Sequence, residues 1–121
     1  MRKMFFFLII AVCACVASAD AQVNFKAAPE RNAKATLAML TLHTELSEAA
    51  FSNTGGILTD YYRTITATHN DRTLSAELAK SRLDQSEKTL NEQLRTILTN
   101  EQIEIWIKTI QPDIEKQLRD N

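Results

Sequence analysis

The sequence predicts an all-α protein, and three observations lead to this fold class. Between residues 22 and 121 no stretch alternates apolar and polar residues as a half-buried strand does. This region has only four glycines and prolines, Pro29, Gly55, Gly56 and Pro112. Apolar residues recur instead at spacings of three, four and seven, which is typical of helices with one buried face. We therefore expect a long bent helical hairpin or a small four-helix arrangement, and the small size favours a homodimer.

Two helices are predicted in the first half of the domain. Residues 22–29 show no clear period and are predicted to be a flexible N-terminal arm before a helical domain that covers residues 30–121. A first helix is expected from residue 30 to about 45. A second is expected over residues 48–68. Two adjacent glycines interrupt this second helix, and each costs a helix interior about 1 kcal/mol relative to alanine, so a break or kink is expected there.

A third helix is predicted from about residue 74 to 97. Its cap is expected at Asp71 or Thr73, because short polar side chains satisfy the first free backbone N–H groups. Its apolar stripe is narrow and resembles a coiled-coil seam. The stripe consists of Ala79, Leu83, Leu90, Leu94 and Ile97. On the solvent side, Asp84 and Lys88 are spaced to form an ion pair.

The last predicted helix starts near Asn100 and has the most regular apolar face of the chain. The face consists of Ile103, Trp106, Ile107, Ile110, Ile114 and Leu118. Trp106 lies in the middle of this face, so we expect it in the core. Pro112 falls within the pattern, and a proline removes a helix hydrogen bond and crowds the preceding turn. The helix is therefore expected to kink or restart there.

The first 21 residues have the three parts of a secretory signal peptide. Two basic residues are followed by an uncharged apolar run, Met4–Val16, and then by small residues that fit cleavage after Ala21 or after Ala19. We favour Ala21. The alternative is a membrane anchor, but the run is shorter than the roughly 20 apolar residues that cross a bilayer. The mature protein is expected to be periplasmic or secreted, without an integral membrane segment.

Both cysteines, Cys13 and Cys15, lie in this signal segment. An alternative to simple cleavage is lipoprotein processing at Cys15, because Val12-Cys13-Ala14-Cys15 loosely resembles the sequence before a lipidated cysteine. Simple cleavage leaves a mature chain with no cysteine. Such a chain has no disulfide, no cysteine-based metal site and no thiol nucleophile.

Charge and motif content narrow the classes of function. From residue 22 onwards there are 12 basic and 14 acidic residues, a net charge of −2, which gives no reason to expect nucleic acid as a partner. No catalytic nucleophile, carboxylate pair or phosphate-binding glycine loop is recognisable, so we expect neither an enzyme nor a cofactor. His43 and His69 lie on different predicted elements, and a metal site would need them together with carboxylates such as Glu45 or Asp71. We expect two surface histidines instead.

The strongest local signal is the segment Leu98-Thr99-Asn100-Glu101-Gln102-Ile103. Thr99 and Gln102 are spaced as a capping box, in which each side chain binds the backbone N–H of the other residue. Leu98 and Ile103 occupy the positions of a hydrophobic staple, which sets the angle between the incoming and outgoing helices. The segment therefore predicts a sharp helix–helix corner, which we call the complete corner.

A related segment, Leu46-Ser47-Glu48-Ala49-Ala50-Phe51, lies 52 residues upstream. Ser47 is its predicted cap, and Leu46 and Phe51 are its predicted staple. Ala50 stands where the reciprocal glutamine would be. We call this segment, Leu46–Phe51, the partial corner.

Two such corners in an exported all-α chain resemble the Spy/CpxP family of periplasmic proteins, which is defined by two L-T-x-x-Q motifs. Leu98-Thr99-Asn100-Glu101-Gln102 matches the motif in full and Leu46-Ser47-Glu48-Ala49-Ala50 as a degenerate copy, within a resemblance that covers roughly residues 30–112. The resemblance implies a long bent hairpin, often dimerised into a thin cradle. Family members act as ATP-independent chaperones, stress-response modulators or metal-responsive proteins. The missing first glutamine, the glycine pair and the slightly acidic charge depart from the family pattern.

Taken together, these features predict an exported, ATP-independent chaperone-like or envelope-stress binding protein. Its expected partners are apolar segments of unfolded or partly folded envelope proteins, and its expected state is a homodimer. One alternative is a metal- or stress-responsive sensor that acts on a membrane partner. Another is a structural envelope protein that self-associates through the seam of the third helix.

Overall fold

The computed structural model describes residues 22–120, and no strand occurs among them. Its helices are α1 (Pro29–Thr41), α2 (Glu48–Asn70), α3 (Ala76–Arg95), α4 (Asn100–Ile105) and α5 (Gln111–Asp120). A π-helical turn, Trp106–Ile110, joins α4 directly to α5, so these segments form one fourth helix. The all-α prediction is confirmed, in its four-helix form. The predicted signal peptide and both cysteines lie outside the described residues.

Short polar side chains start three of the four helices. The Ser47 and Thr99 hydroxyls cap α2 and α4, as the sequence predicts. The cap of α3 is Ser75, whose hydroxyl accepts the N–H of Leu78, so the prediction of Asp71 or Thr73 was wrong. Asp71 instead accepts both the backbone N–H (2.9 Å) and the hydroxyl (2.6 Å) of Thr73. These bonds form the turn before α3 and hold the pKa of Asp71 below its usual range.

The α2 helix is continuous through Gly55 and Gly56, where the sequence predicts a break. α1 runs antiparallel to α2, with Glu30 beside Arg63 and Leu37 beside Gly55. A Cβ atom added to Gly55 would lie 3.2 Å from Leu37 Cδ1, so glycine allows the two helices to approach closely here. This packing offsets the low helix propensity of the pair, because tertiary contacts supply most of the stability of a protein helix.

The fourth helix changes its hydrogen bonding just before Pro112, where the sequence predicts a kink or a restart. Pro112 lies in the first turn of α5, directly after the π-helical turn. The Gln111 N–H donates to the carbonyl of Trp106, five residues earlier, which widens the helix just before the proline ring. Ile107, a member of the predicted apolar face, lies within this turn and is 36% exposed.

The π-helical turn allows Trp106 and Gln111 to form a polar cluster with Asn91. Asn91 Oδ1 on α3 accepts hydrogen bonds from Trp106 Nε1 at 2.9 Å and from Gln111 Nε2 at 3.1 Å. In a regular α-helix, residues five apart point about 140° away from each other. A turn closed by an i to i+5 bond brings them to one face, so both side chains reach the same asparagine.

One apolar core joins all four helices. Its buried members include Leu37 and Leu40 of α1, Leu58, Tyr62 and Ile65 of α2, Leu90 and Leu94 of α3, and Ile103, Trp106, Ile110 and Ile114 of the fourth helix. Trp106 is 1% exposed, as expected for a core residue. Tyr62 is fully buried, and its hydroxyl lies 2.6 Å from Thr36 Oγ1. Burial raises the pKa of the Tyr62 phenol.

Residues 22–28 pack on this core, unlike the flexible arm that the sequence predicts. Val23 is fully buried, and its N–H donates to Gln117 Oε1 of α5 at 2.8 Å. Asn24 exchanges two hydrogen bonds with Asn32 of α1. The Phe25 ring stacks on His69 with a centroid separation of 3.8 Å. One valine and one phenylalanine in a polar stretch produce no period, so periodicity could not reveal this docking.

α3 is the most solvated long helix. Leu90 and Leu94 are buried in its C-terminal half, whereas Leu83 is half-buried and Leu78 is 44% exposed near its start. Asp84 pairs with Lys80 at 2.8 Å, so the predicted pairing of Asp84 with Lys88 was wrong. Both partners of the observed pair are mainly exposed, and such pairs contribute little to stability.

Candidate functional site

The complete corner has the geometry that its sequence predicts. Thr99 Oγ1 accepts the N–H of Gln102 at 3.2 Å, and Gln102 Oε1 accepts the N–H of Thr99 at 3.0 Å. Leu98 and Ile103, the two staple residues, are each 6% exposed. The incoming α3 and the outgoing α4 are therefore held together by a reciprocal cap and by two buried side chains.

The partial corner keeps the cap without the buried staple. Ser47 Oγ accepts the N–H of Ala50 at 3.1 Å. Leu46 is half-buried, but Phe51 is 46% exposed, the highest value for a large hydrophobic side chain within residues 22–120. Capping needs only neighbours in sequence, whereas burying a staple residue needs other elements to cover it. Phe51, the second staple residue of this corner, is thus exposed to solvent.

The structure joins the two corners through one side chain. Gln102 Nε2 donates to the backbone carbonyl of Glu45 at 2.9 Å, across 57 residues of sequence. The same amide therefore completes the capping box at Thr99 and holds the segment that leads into Ser47. The bond to Glu45 does not replace the missing glutamine of the partial corner, which would accept the Ser47 N–H, but it ties the start of that corner to the complete one. Sequence reasoning missed this link, because its acceptor is a main-chain carbonyl that any residue could supply.

Beside the partial corner, an open groove runs between α1 and the first half of α2. It encloses about 660 Å³. Its lining residues are mostly small or apolar: Ala28, Ala33, Leu37, Phe51, Ser52, Gly55 and Thr59. Leu37 and Gly55, where the two helices approach closely, both line the groove, and so does the exposed Phe51. We call this surface the α1–α2 groove.

Charged side chains of α1 line one edge of the groove. These are Glu30, Arg31 and Lys34. The Glu30 carboxylate lies 3.4 Å from the Arg63 guanidinium of α2, so an opposite charge partly compensates it. The formal charges of these three side chains sum to +1, whereas residues 22–121 as a whole carry a net charge of −2.

The two histidines are far apart. His43 is exposed in the connection between α1 and α2, and His69 stacks on Phe25 near the far end of α2. α2 has 23 residues, so the two ends lie about 35 Å apart at 1.5 Å per residue. Within residues 22–120, no three His, Cys, Asp or Glu side chains are grouped so that they could hold a metal ion. In the same part of the chain, no helix combines the length and apolar character needed to cross a membrane.

Comparison with known proteins adds no relative. No protein-family model, no curated protein and no solved structure matches the chain. The resemblance to the Spy/CpxP proteins therefore rests on the two corner segments and stays a prediction. Any function has to be argued from the chain's own surfaces.

Proposed function

We propose that this chain is an exported binding protein that holds short apolar segments of partly folded envelope proteins without ATP. The α1–α2 groove is the proposed binding surface. The observation that carries the proposal is Phe51, a large aromatic side chain left 46% exposed at a staple position and beside an apolar groove. Scattered exposed hydrophobics are ordinary on protein surfaces, but an aromatic continuous with an apolar groove is the usual mark of an interaction site.

The groove suits weak and reversible binding. Full burial of a phenylalanine side chain contributes about 1.5–3 kcal/mol, and Phe51 is already half-covered, so its further burial contributes about 1 kcal/mol. The small residues of the floor, Ala33, Ser52 and Gly55, admit a client side chain without deep enclosure. A client that folds withdraws its apolar segment from so shallow a surface, and release therefore needs no nucleotide.

The charged edge indicates which clients bind best. Arg31 and Lys34 lie along the α1 side of the groove, and Glu30 faces Arg63. An apolar segment with an acidic residue next to it meets a complementary charge at this edge, whereas a basic flank is repelled. We expect the preference to weaken with added salt, because these side chains are exposed.

Suppression of aggregation tests the proposal. Purified residues 22–121 should slow the aggregation of an equimolar reduced model protein and should bind a hydrophobic dye. Phe51→Ala should lose most of both effects. Leu78→Ala is the matched control, because Leu78 is 44% exposed on α3, outside the groove. Absence of protection by the wild type, or equal losses in the two variants, would remove the groove as the binding surface.

Self-association is the second candidate, and one observation favours it. Leu90 and Leu94 of the predicted seam are buried in the core, but the half-buried seam residue Leu83 and the exposed Leu78 leave apolar surface on the first half of α3. Sedimentation equilibrium of residues 22–121 tests this candidate directly. A dimer that Leu78→Ala dissociates and Phe51→Ala preserves would support association through α3, and a wild-type monomer at high micromolar concentration would exclude it.

A further inference from the structure

We propose that Glu87 of α3, when protonated, and Glu115 of α5 form a latch, which holds the C-terminal helix against the bundle and opens as the surroundings become more alkaline. The proposal is independent of the function proposed above. It concerns the interface between the two helices that the Asn91 cluster already joins.

The register of the two helices brings the carboxyl groups together. Asn91 Nδ2 donates to Gln111 Oε1 at 3.3 Å, and Gln111 Nε2 returns a bond to Asn91 at 3.1 Å. Residues four apart lie on the same helix face. The two helices run in opposite directions, so Glu87, four residues before Asn91, lies opposite Glu115, four residues after Gln111. Leu90, about one turn after Glu87, and Ile114, next to Glu115, are both buried.

Three helices contribute charged or titratable groups around Glu87. Glu115 faces it from α5, Asp84 lies one turn away on α3, and the Tyr61 phenol faces the pair from α2. Lys88, Glu92 and Arg95 line the solvent side of the same shallow pocket. The neighbouring charges that raise the pKa of Glu87 are the carboxylates of Glu115 and Asp84.

Burial and the neighbouring carboxylates favour a proton bound to Glu87. Partial burial is the main cause that raises the pKa of Glu87, and the hydrogen bond with Glu115 and the charges of Glu115 and Asp84 raise it further, to about 7. When Glu87 is protonated, its carboxyl O–H donates to the Glu115 carboxylate. When this proton leaves, two negative charges face each other across the helix interface.

The sign of the pH effect follows from linkage. The pKa of Glu87 is higher in the folded protein than its ordinary value of 4.5. The folded state therefore binds more protons than the unfolded state between those two values, and stability falls as the pH rises through that window. The stabilisation is fully present below about 4.5 and lost as the pH rises through about 7.

Opening of the latch has a second consequence at the other end of the chain. Gln117 lies two residues beyond Glu115 and accepts the N–H of Val23. The segment is thus bonded to α5 through Val23 and to α1 through Asn24, so movement of α5 away from α3 pulls on it. Loosening of the C-terminal helix therefore also releases the packed segment of residues 22–28.

Trp106 provides a direct reporter, because it is the only tryptophan and it donates to Asn91 beside the latch. Urea unfolding of residues 22–121, followed by tryptophan fluorescence between pH 5 and 9, should show a midpoint that falls with a transition near pH 7. Glu87→Gln and Glu115→Gln should each abolish this transition and give a higher midpoint than the wild type at pH 8.5. Glu92→Gln, an exposed carboxylate on the same helix, should retain it.

The histidines are unchanged in all of these variants, so the difference between variants isolates the latch. Limited proteolysis provides a second readout: cleavage within residues 22–28 should accelerate above neutral pH in the wild type and not in Glu87→Gln. A wild-type midpoint that is flat between pH 5 and 8.5 would overturn the proposal. So would a transition of unchanged size in Glu87→Gln.

Discussion

The partial corner and the complete corner start their helices in the same way and differ in what they bury. The cap distances are 3.1 Å at Ser47 and 3.2 Å at Thr99. The staple residues of the complete corner are each 6% exposed, whereas Phe51 of the partial corner is 46% exposed. A helix start is thus determined by a few adjacent residues, whereas the burial of the flanking hydrophobic side chains is determined by the rest of the fold. The degenerate copy keeps its structural role and frees an aromatic side chain for the surface.

The two corners also differ in how far each depends on the other. Gln102 closes its own capping box and binds the Glu45 carbonyl, while Ala50 at the equivalent position of the partial corner can do neither. The partial corner therefore depends on the complete one. Substitutions in the two segments should have unequal effects, and they can be ordered by size.

The largest expected difference is between the staple residues. Leu98→Ala should lower the free energy of unfolding by about 3 kcal/mol, because it leaves a cavity in a packed core. Phe51→Ala should lower it by less than about 1 kcal/mol, because the ring is half in solvent. Urea unfolding measures both variants. Equal losses would show that Phe51 is buried in solution and would contradict the contrast between the corners.

The next effect concerns the shared amide. Gln102→Ala removes two hydrogen bonds, one at each corner, and should cost about 2 kcal/mol at about 1 kcal/mol per bond. Gln102→Glu keeps the acceptor for the Thr99 N–H and loses only the donor to Glu45, so it should cost about half as much. Thr99→Ala removes the cap alone, at about 1 kcal/mol. If Gln102→Ala costs no more than Thr99→Ala in thermal unfolding, the link between the corners contributes nothing.

The smallest effect tests the helix that follows the partial corner. Gly56→Ala should stabilise the protein by about 0.5–1 kcal/mol, since alanine is the better helix former, and an added Cβ meets nothing within 4 Å. Gly55→Ala should gain less or lose stability, because its Cβ would crowd Leu37 at 3.2 Å. The matched pair can be compared by melting temperature. The reverse order would show that α1 does not pack against α2 at Gly55.

The sequence predicts those parts of the molecule that depend on local chemistry. The helix starts at Ser47 and Thr99 follow from hydroxyl groups placed before helical patterns, and the burial of Trp106 follows from its apolar neighbours. The break at Gly55-Gly56 was predicted from propensity alone, and helix packing overrides it. The docking of Val23 and the pairing of Glu87 with Glu115 depend on contacts between distant segments. The periodicity of the sequence carries no information about such contacts, so the groove and the latch could be identified only from the folded structure.

The bond from Gln102 to the Glu45 carbonyl also bears on the order of folding. Each flanking helix pair is local in sequence, whereas this bond spans 57 residues and can form only after both pairs exist. Contacts of such separation have to overcome more chain entropy before they contribute. The bond is therefore expected to form after the transition state. Its loss would then accelerate unfolding and leave the folding rate almost unchanged, so one glutamine would set the lifetime of the native state rather than the speed of its formation.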